Sequence, residues 1–239
     1  MVGQAKVIGL LGGMSWPSTI FYYRALNEGA QQALGGSHSA RVLVWSGDYA
    51  EVERLQLEQR WDEAGQLLAA GARRLEAAGA EVLGIACNTM HRVADAVRAV
   101  TPIALVDIVE ATVAEASDRQ VRCAALLGTA FTIESAMYDR ALIQRGITPL
   151  VPAGADRDLV DRIIYEELCL GRFSSASRAA LGEMFARLAE AGADAVLLAC
   201  TELGEAMSGW QIADVEVIDT ARVHVRSLLT ASLPADYQW

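Results

Sequence analysis

Apolar positions along this chain fall into two patterns, short unbroken runs and longer stretches with helical spacing. The runs are Val7 to Leu11, Arg41 to Ser46, the segment ending at Cys87, Ile103 to Val106, Ala124 to Gly128, Thr148 to Val151, the segment ending at Cys200, and Val215 to Ile218. Runs of this length, entered through small-residue turns, predict strands of a parallel sheet covered on both faces. Between them, helices are predicted over Ile20 to Leu34, Trp61 to Ala78, Met90 to Val100, Asp156 to Leu170 and Ser175 to Ala191, with another carrying Tyr138. Ser15 and Pro17 are start signals for the first helix, and Gly35-Gly36 ends it. Gly47 to Arg60 reads as a longer connection. Strands alternating with helices define an α/β protein.

The pattern is written twice. Ala78-Gly79-Ala80-Glu81 leads into Val82-Leu83-Gly84-Ile85-Ala86-Cys87, and Ala191-Gly192-Ala193-Asp194 leads into Ala195-Val196-Leu197-Leu198-Ala199-Cys200. The two cysteines stand 113 positions apart. Ile8 to Gly12 matches Ala124 to Gly128, the Tyr22–Leu26 helix matches that of Tyr138 to Leu142, and Ile103 to Asp107 matches Val215 to Asp219, all at offsets of 112 to 116. The fold expected is therefore two pseudo-symmetric lobes. Each is a mainly parallel four-stranded sheet flanked by helices, with an active site in the inter-lobe cleft. Residues 1–103 with 214–239 are assigned to one lobe and 104–213 to the other. Open α/β sheets place ligands at the carboxyl ends of their strands, and each half sets a cysteine there.

Composition narrows the function. A hydrophobic content of 53% with 21% charged residues supports a packed core. The formal net charge of −10 argues against nucleic acid or an anionic membrane as partner and leaves a small-molecule substrate. No apolar run is long enough to span a bilayer, and the Val7–Leu11 run is a better strand than signal peptide. Four irregularly spaced cysteines do not make a disulfide framework, so a reducing cytoplasm is the setting expected. A C-x-x-C redox pair, tightly spaced Cys/His zinc ligands, G-x-G-x-x-G and a P-loop are all absent from the sequence.

Two thiols delivered to equivalent places suit proton transfer at a carbon, one thiolate removing a proton and the opposing thiol returning one from behind. A helix N-terminus after each cysteine lowers a thiol pKa from its ordinary value of about 8.5. Asn88, Thr89 and Thr201 are placed to bind a substrate carboxylate, which takes up charge as the α-carbon loses its proton. Asp48 orients a base, binds the substrate ammonium or caps a turn; Asp107 and Asp219 read as helix caps, and His91 as a surface or helix-capping residue. Cys123 and Cys169 read as core residues.

Gly12-Gly13-Met14-Ser15-x-x-Ser18-Thr19, Cys87-Asn88-Thr89, Leu127-Gly128-Thr129 and Cys200-Thr201-Glu202, taken together from about Val7 to Thr220, resemble the aspartate/glutamate racemase family of cofactor-independent amino-acid racemases. Glu202 is similar to the aspartate-racemase branch; Asn88 to His91 and Tyr165 to Gly171 resemble the bacterial subgroup acting on aspartate, glutamate or amino acids more broadly. The resemblance implies Cys87 and Cys200 as the two bases, and Met14, Asn88, Thr89, Thr129 and Thr201 around the substrate, with Glu202, Asp48 and Gln56 as further binding candidates. It implies no cofactor, no metal and a homodimer. Some aspartate racemases hold the side-chain carboxylate with an arginine after strand two and a lysine in the segment matching Tyr165 to Gly171; here those regions offer Asp48-Tyr49 and Cys169. Hydantoin racemases share both cysteines, related decarboxylases keep one, and a two-lobed binding protein would need neither.

Overall fold

The computed structural model describes residues 5–152, 154–209 and 215–234. The chain divides into two compact units, Met1–Ile108 with His224–Trp239, and Val109–Val223.

In the first unit, β1 (Ile8–Gly12) is flanked by β2 (Val42–Ser46) and β3 (Val82–Ile85), with β4 (Leu105–Val106) beside β3, giving the order β2-β1-β3-β4. All pairings are parallel, with Leu10 opposite Val44 on one side and Gly84 on the other. The central strands are buried along their whole length while the edge strand β2 is half-exposed, which is why β1 and β3 read as continuous apolar runs. Helices α1 (Trp16–Leu34), α2 (Tyr49–Leu57), α3 (Trp61–Ala77) and α4 (Ala94–Arg98) make the connections. Helix α2 lies where the sequence predicted only a connection, and its buried Val52, Leu55 and Gln56 are the i, i+3, i+4 face of a short amphipathic turn. The helix predicted over Met90 to Val100 is a 3₁₀ turn, Thr89–Val93, followed by α4.

The second unit repeats the plan. β5 (Cys123–Gly128), β6 (Thr148–Leu150), β7 (Ala195–Ala199) and β8 (Glu216–Asp219) form a parallel sheet of order β6-β5-β7-β8. Pro149, which has no N–H to give, is accommodated because β6 is an edge strand. Its helices are α5 (Ile108–Asp118), α6 (Ala130–Glu134), α7 (Met137–Gln144), α8 (Ala155–Arg162), α9 (Ser175–Glu190) and α10 (Thr201–Ala206). The helix predicted over Asp156 to Leu170 changes pitch, from α8 to a π-helical turn at Ile163–Glu167 and a 3₁₀ turn at Leu168–Leu170.

The strand-to-unit assignment differs from the sequence expectation at two places. β4, placed in the second lobe by a boundary at 103/104, pairs with β3 of the first sheet; β8, placed in the first lobe by a boundary at 213/214, pairs with β7 of the second. Both follow from hydrogen bonding, since each strand returns beside its immediate predecessor, a short crossover away. The helix after each sheet belongs to the other unit. α5 follows β4 but extends through the second unit, whereas α11 (Thr220–Ser232) follows β8 and its larger part, from His224, lies in the first. There α11 packs closely on β3: a Cβ on Gly84 would stand 2.9 Å from Leu228 Cδ1, so any larger residue would make that leucine side chain shift.

Each unit has its own core. Leu11, Leu68, Leu83, Ile85 and Met90 anchor the first, and Leu127, Phe185, Val196, Leu198 and Leu203 the second. Burial of one such large side chain contributes about 1.5–3 kcal/mol. Among the described residues no helix is long and apolar enough to cross a membrane.

Candidate active site

In the first unit the carboxyl ends of β1 and β3 bring Met14, Cys87, Asn88 and Thr89 to one end of the sheet, with the Ala86 N–H donating to the Leu11 carbonyl between the strands. The glycine loop after β1 is fixed from two directions. Thr19 Oγ1 accepts from the Gly13 N–H at 2.8 Å and donates to the Ser15 carbonyl at 3.0 Å, and Ser15 caps α1 by accepting from the Ser18 N–H. Gly13 has φ of +85° and backs onto Gly47, where a Cβ would lie 2.2 Å from the Gly47 carbonyl oxygen. This loop carries the buried Met14.

Cys87 is half-buried, and its backbone is held at both ends. Its N–H donates to the Ile85 carbonyl at 2.8 Å, and its carbonyl lies 2.8 Å from His91 Nδ1. Asn88 and Thr89 are both buried. Gln56 is buried too, but its amide donates to Met90 Sδ at 3.1 Å. Asp48 is exposed and caps α2 by accepting from the Ala50 N–H, where the sequence left a turn cap as one of three readings. His91 is buried, not on the surface, with both ring nitrogens satisfied by backbone partners, and its Nε2 accepts from the Ile108 N–H at the start of α5, the helix-capping half of its sequence reading.

In the second unit the carboxyl ends of β5 and β7 gather Thr129, Cys200, Thr201 and Glu202. Thr129 caps α6, accepting from the Thr132 N–H, while the first amide of that helix, Ala130 N–H, donates to Asp161 at 2.9 Å. Cys200 precedes the first residue of α10 and is buried; its thiol donates to Glu202 Oε2 at 3.1 Å. Burial, and after it the negative charge of Glu202, pushes the Cys200 thiol well above its ordinary range, so it is held protonated. Although Cys200 stands at the N-terminus of the six-residue α10, its pKa is displaced upward, with desolvation the largest cause. Glu202, expected around the substrate, is thus turned to the thiol. Cys169, on the 3₁₀ turn Leu168–Leu170, packs against the apolar cluster that contains Cys200, and its charge when ionised would raise the Cys200 pKa further.

Cys123 opens β5 at the opposite end of that sheet, where burial raises its pKa. Asp219 caps α11 through the Ala221 and Arg222 N–H groups, and the Asp107 carboxylate, just before α5, accepts from Arg98 at 2.5 Å. Among the described residues no group of three or more His, Cys, Asp or Glu side chains is placed to hold a metal ion. The residues that sequence reasoning missed are Tyr22 and His224. Tyr22 OH lies 2.9 Å from His224 Nδ1 across 202 positions of sequence, a separation that leaves no local signal.

The geometry defines a duplicated parallel α/β protein with a thiol at the carboxyl end of the third strand of each sheet. The chain belongs to the Asp/Glu/hydantoin racemase family, whose model matches residues 11–228. The family's racemases are isomerases acting on amino acids such as aspartate and glutamate. The chain is 23% identical over 230 residues to the broad specificity amino-acid racemase RacX of Bacillus subtilis (strain 168), covering 95% of this chain and 98% of that one. Among solved structures it resembles a candidate Asp/Glu racemase from Yersinia pestis, with a TM-score of 0.88 and 40% identity over 95% of this chain and 98% of that one. It also resembles an aspartate racemase homologue from Pyrococcus horikoshii OT3, with a TM-score of 0.81 and 31% identity over the same shares.

Proposed function

We propose that this chain interconverts the enantiomers of an amino acid by passing the α-proton between two thiols, Cys87 and Cys200, with no cofactor needed. The observation that carries this reading is the Cys200 thiol: buried, donating to Glu202 at 3.1 Å and held protonated at the strand end equivalent to that of Cys87. A thiol so held is an acid, and a two-base inversion needs one acid and one base at the start of each turnover.

The reading requires the two sulfurs to address opposite faces of one substrate. In one direction the Cys87 thiolate takes the α-proton, an S–H bond forming as the C–H bond breaks, and the electron pair moves into the substrate carboxylate. Cys200 then delivers its proton from the other face, its S–H bond breaking as the new C–H bond forms. Cys87 is left as the thiol and Cys200 as the thiolate, the arrangement from which the reverse reaction starts. Asn88, Thr89, Thr129 and Thr201 are the donors assigned to the carboxylate, with Met14 against the substrate; donors of this kind act most strongly on the charge that develops in the transition state.

The side chain accepted is wider than aspartate and glutamate alone in this reading. Asp48 is occupied as a helix cap, Gln56 is turned to Met90, and Cys169 stands in the segment where some aspartate racemases carry a lysine. The likeness to the broad specificity racemase RacX is consistent with this. A homodimer in the cytoplasm completes the reading, and sedimentation velocity tests the assembly. The function itself is tested by chiral chromatography of L-aspartate, L-glutamate and a panel of neutral L-amino acids incubated with the protein and with Cys87→Ser and Cys200→Ser. Racemisation by the native chain and its loss in both variants, with circular dichroism unchanged, is the expected result. Full activity in either variant, or silence of the native chain on every amino acid, refutes it.

A further inference from the structure

Two buried histidines of the first unit lie edge to face, with ring centroids 5.5 Å apart and planes at 77°. Neither belongs to the proton-transfer chemistry above. Their partners fix their protonation. His91 Nε2 stands 3.2 Å from the backbone N–H of Ile108, which can only donate, so Nε2 is the bare nitrogen and Nδ1 carries the hydrogen given to the Cys87 carbonyl. His224 is the opposite: its Nε2 stands 2.9 Å from the Val106 carbonyl, which can only accept, so Nε2 carries the hydrogen and Nδ1 accepts from Tyr22 OH.

The reason for a histidine at position 91 emerges when the two halves are compared. After Cys200 the chain enters an α-helix at once, and the Gly204 N–H donates to the Cys200 carbonyl at 3.2 Å. Gly204 and His91 are equivalent positions, each four residues beyond its cysteine. After Cys87 the chain forms a 3₁₀ turn instead, so the His91 N–H goes to the Asn88 carbonyl at 3.0 Å. The His91 ring takes over the bond to the cysteine carbonyl that the backbone makes in the other half. A side chain at Gly204 would meet Asp219, with a Cβ only 2.5 Å from its Oδ2, so the two solutions are not interchangeable.

We infer that His91 is a positioning residue for Cys87: its Nδ1–H tethers the cysteine carbonyl while its Nε2 ties the same turn to the first residue of α5, and His224 locks the neighbouring β4 carbonyl to Tyr22 of α1. This rests on Cys87 being one of the two bases only for its catalytic consequence; the tether itself is a property of the free protein. The charged groups facing the pair are Asp107, which acts on both rings, and Arg98, which acts on His91 and is itself paired with Asp107. With both rings neutral every donor meets an acceptor; a proton added to His91 would set its Nε2–H against the Ile108 N–H, two donors facing each other.

Two variants separate the two halves of the His91 contact. An asparagine amide nitrogen overlays imidazole Nδ1, so H91N keeps a donor for Cys87 and gives up the acceptor for Ile108. A glutamine oxygen overlays Nε2, so H91Q keeps the acceptor for Ile108 and gives up the tether. Alkylation of Cys87 by iodoacetamide in the absence of substrate, followed by peptide mass spectrometry, is expected to be several-fold faster in H91Q than in the native protein and close to native in H91N. Where the chain turns over an amino acid, kcat is expected to fall about tenfold or more in H91Q and to be largely recovered in H91N. Equal alkylation rates in both variants, or the reverse order, overturn the inference. Long-range ¹H–¹⁵N correlation spectra of the native protein decide it independently of any variant's folding. Protonation of His91 at Nδ1 and His224 at Nε2 is expected, and the opposite tautomer at either ring refutes the tether. Failure of racemisation with these spectra and rates intact would fault the proposed reaction and not the tether.

Discussion

His224 should make this protein measurably sensitive to mild acid. The ring is fully buried with both nitrogens engaged, and that burial, reinforced by neighbouring His91, lowers its pKa from 6.5 to about 3. Between those values the unfolded chain binds a proton that the folded chain refuses, so stability falls as pH falls through this window and is fully present above 6.5. At pH 5.0 the unfolded imidazole has gained a free energy of about 2 kcal/mol relative to pH 7.5, from 1.5 pH units below its pKa at about 1.4 kcal/mol per unit. His224→Gln keeps an amide donor near the Val106 carbonyl but removes the titration. The variant should lose about 1–2 kcal/mol at pH 7.5, from poorer packing and a weakened bond to Tyr22, yet should lose about 2 kcal/mol less than the native protein between pH 7.5 and 5.0. His91 is displaced in the same direction by burial and contributes to both proteins, so the difference isolates His224. Urea unfolding followed by circular dichroism at the two pH values provides the comparison. Parallel losses in the two proteins would show that His224 takes up a proton in the folded state and would refute the reasoning.

Three further outcomes follow from the site. Gly13→Ala would force a Cβ into the Gly47 backbone at positive φ; it should cost about 3 kcal/mol, and calorimetry should show a Tm lower by about 6–12 °C in a chain of this size. Glu202→Gln removes the charge that helps hold the Cys200 thiol protonated. The pH profile of Cys200 alkylation should therefore move to lower pH, and an unmoved or raised profile would show that Glu202 does not govern the thiol. Cys169→Ser should leave the fold intact and lower the Cys200 profile slightly, since the charge of Cys169 acts on Cys200 in the same sense; a rise would contradict their proximity.

Much of this architecture is legible in the sequence because its determinants are local. β1, β3, β5 and β7 are buried on both faces, so each is an uninterrupted apolar run, and the small-residue turns before β3 and β7 mark where each begins. The cysteines at the ends of β3 and β7 are visible for the same reason. Helix α2 was hidden because Glu51, Glu53, Arg54 and Glu58 surround its three buried positions, and so few apolar residues do not reveal a period. The strand membership of β4 and β8 depends on hydrogen-bond partners, which repeat spacing alone does not supply. Cys200 looked like a thiol activated by a helix end; its desolvation and the Glu202 contact are three-dimensional facts. The Tyr22–His224 and His91–Ile108 contacts join segments that share no local pattern, so nothing beside either histidine in the sequence marks its partner.

The central claim is that protons enter and leave the α-carbon through different thiols. Racemisation of an accepted L-amino acid in deuterium oxide, stopped while little has been converted, tests it directly by mass spectrometry of the separated enantiomers. The account predicts deuterium at the α-carbon of the D-product and protium retained in the recovered L-substrate, because each face has its own donor. Deuterium rising equally in both enantiomers from the earliest times would place a single base at the carbon and contradict it.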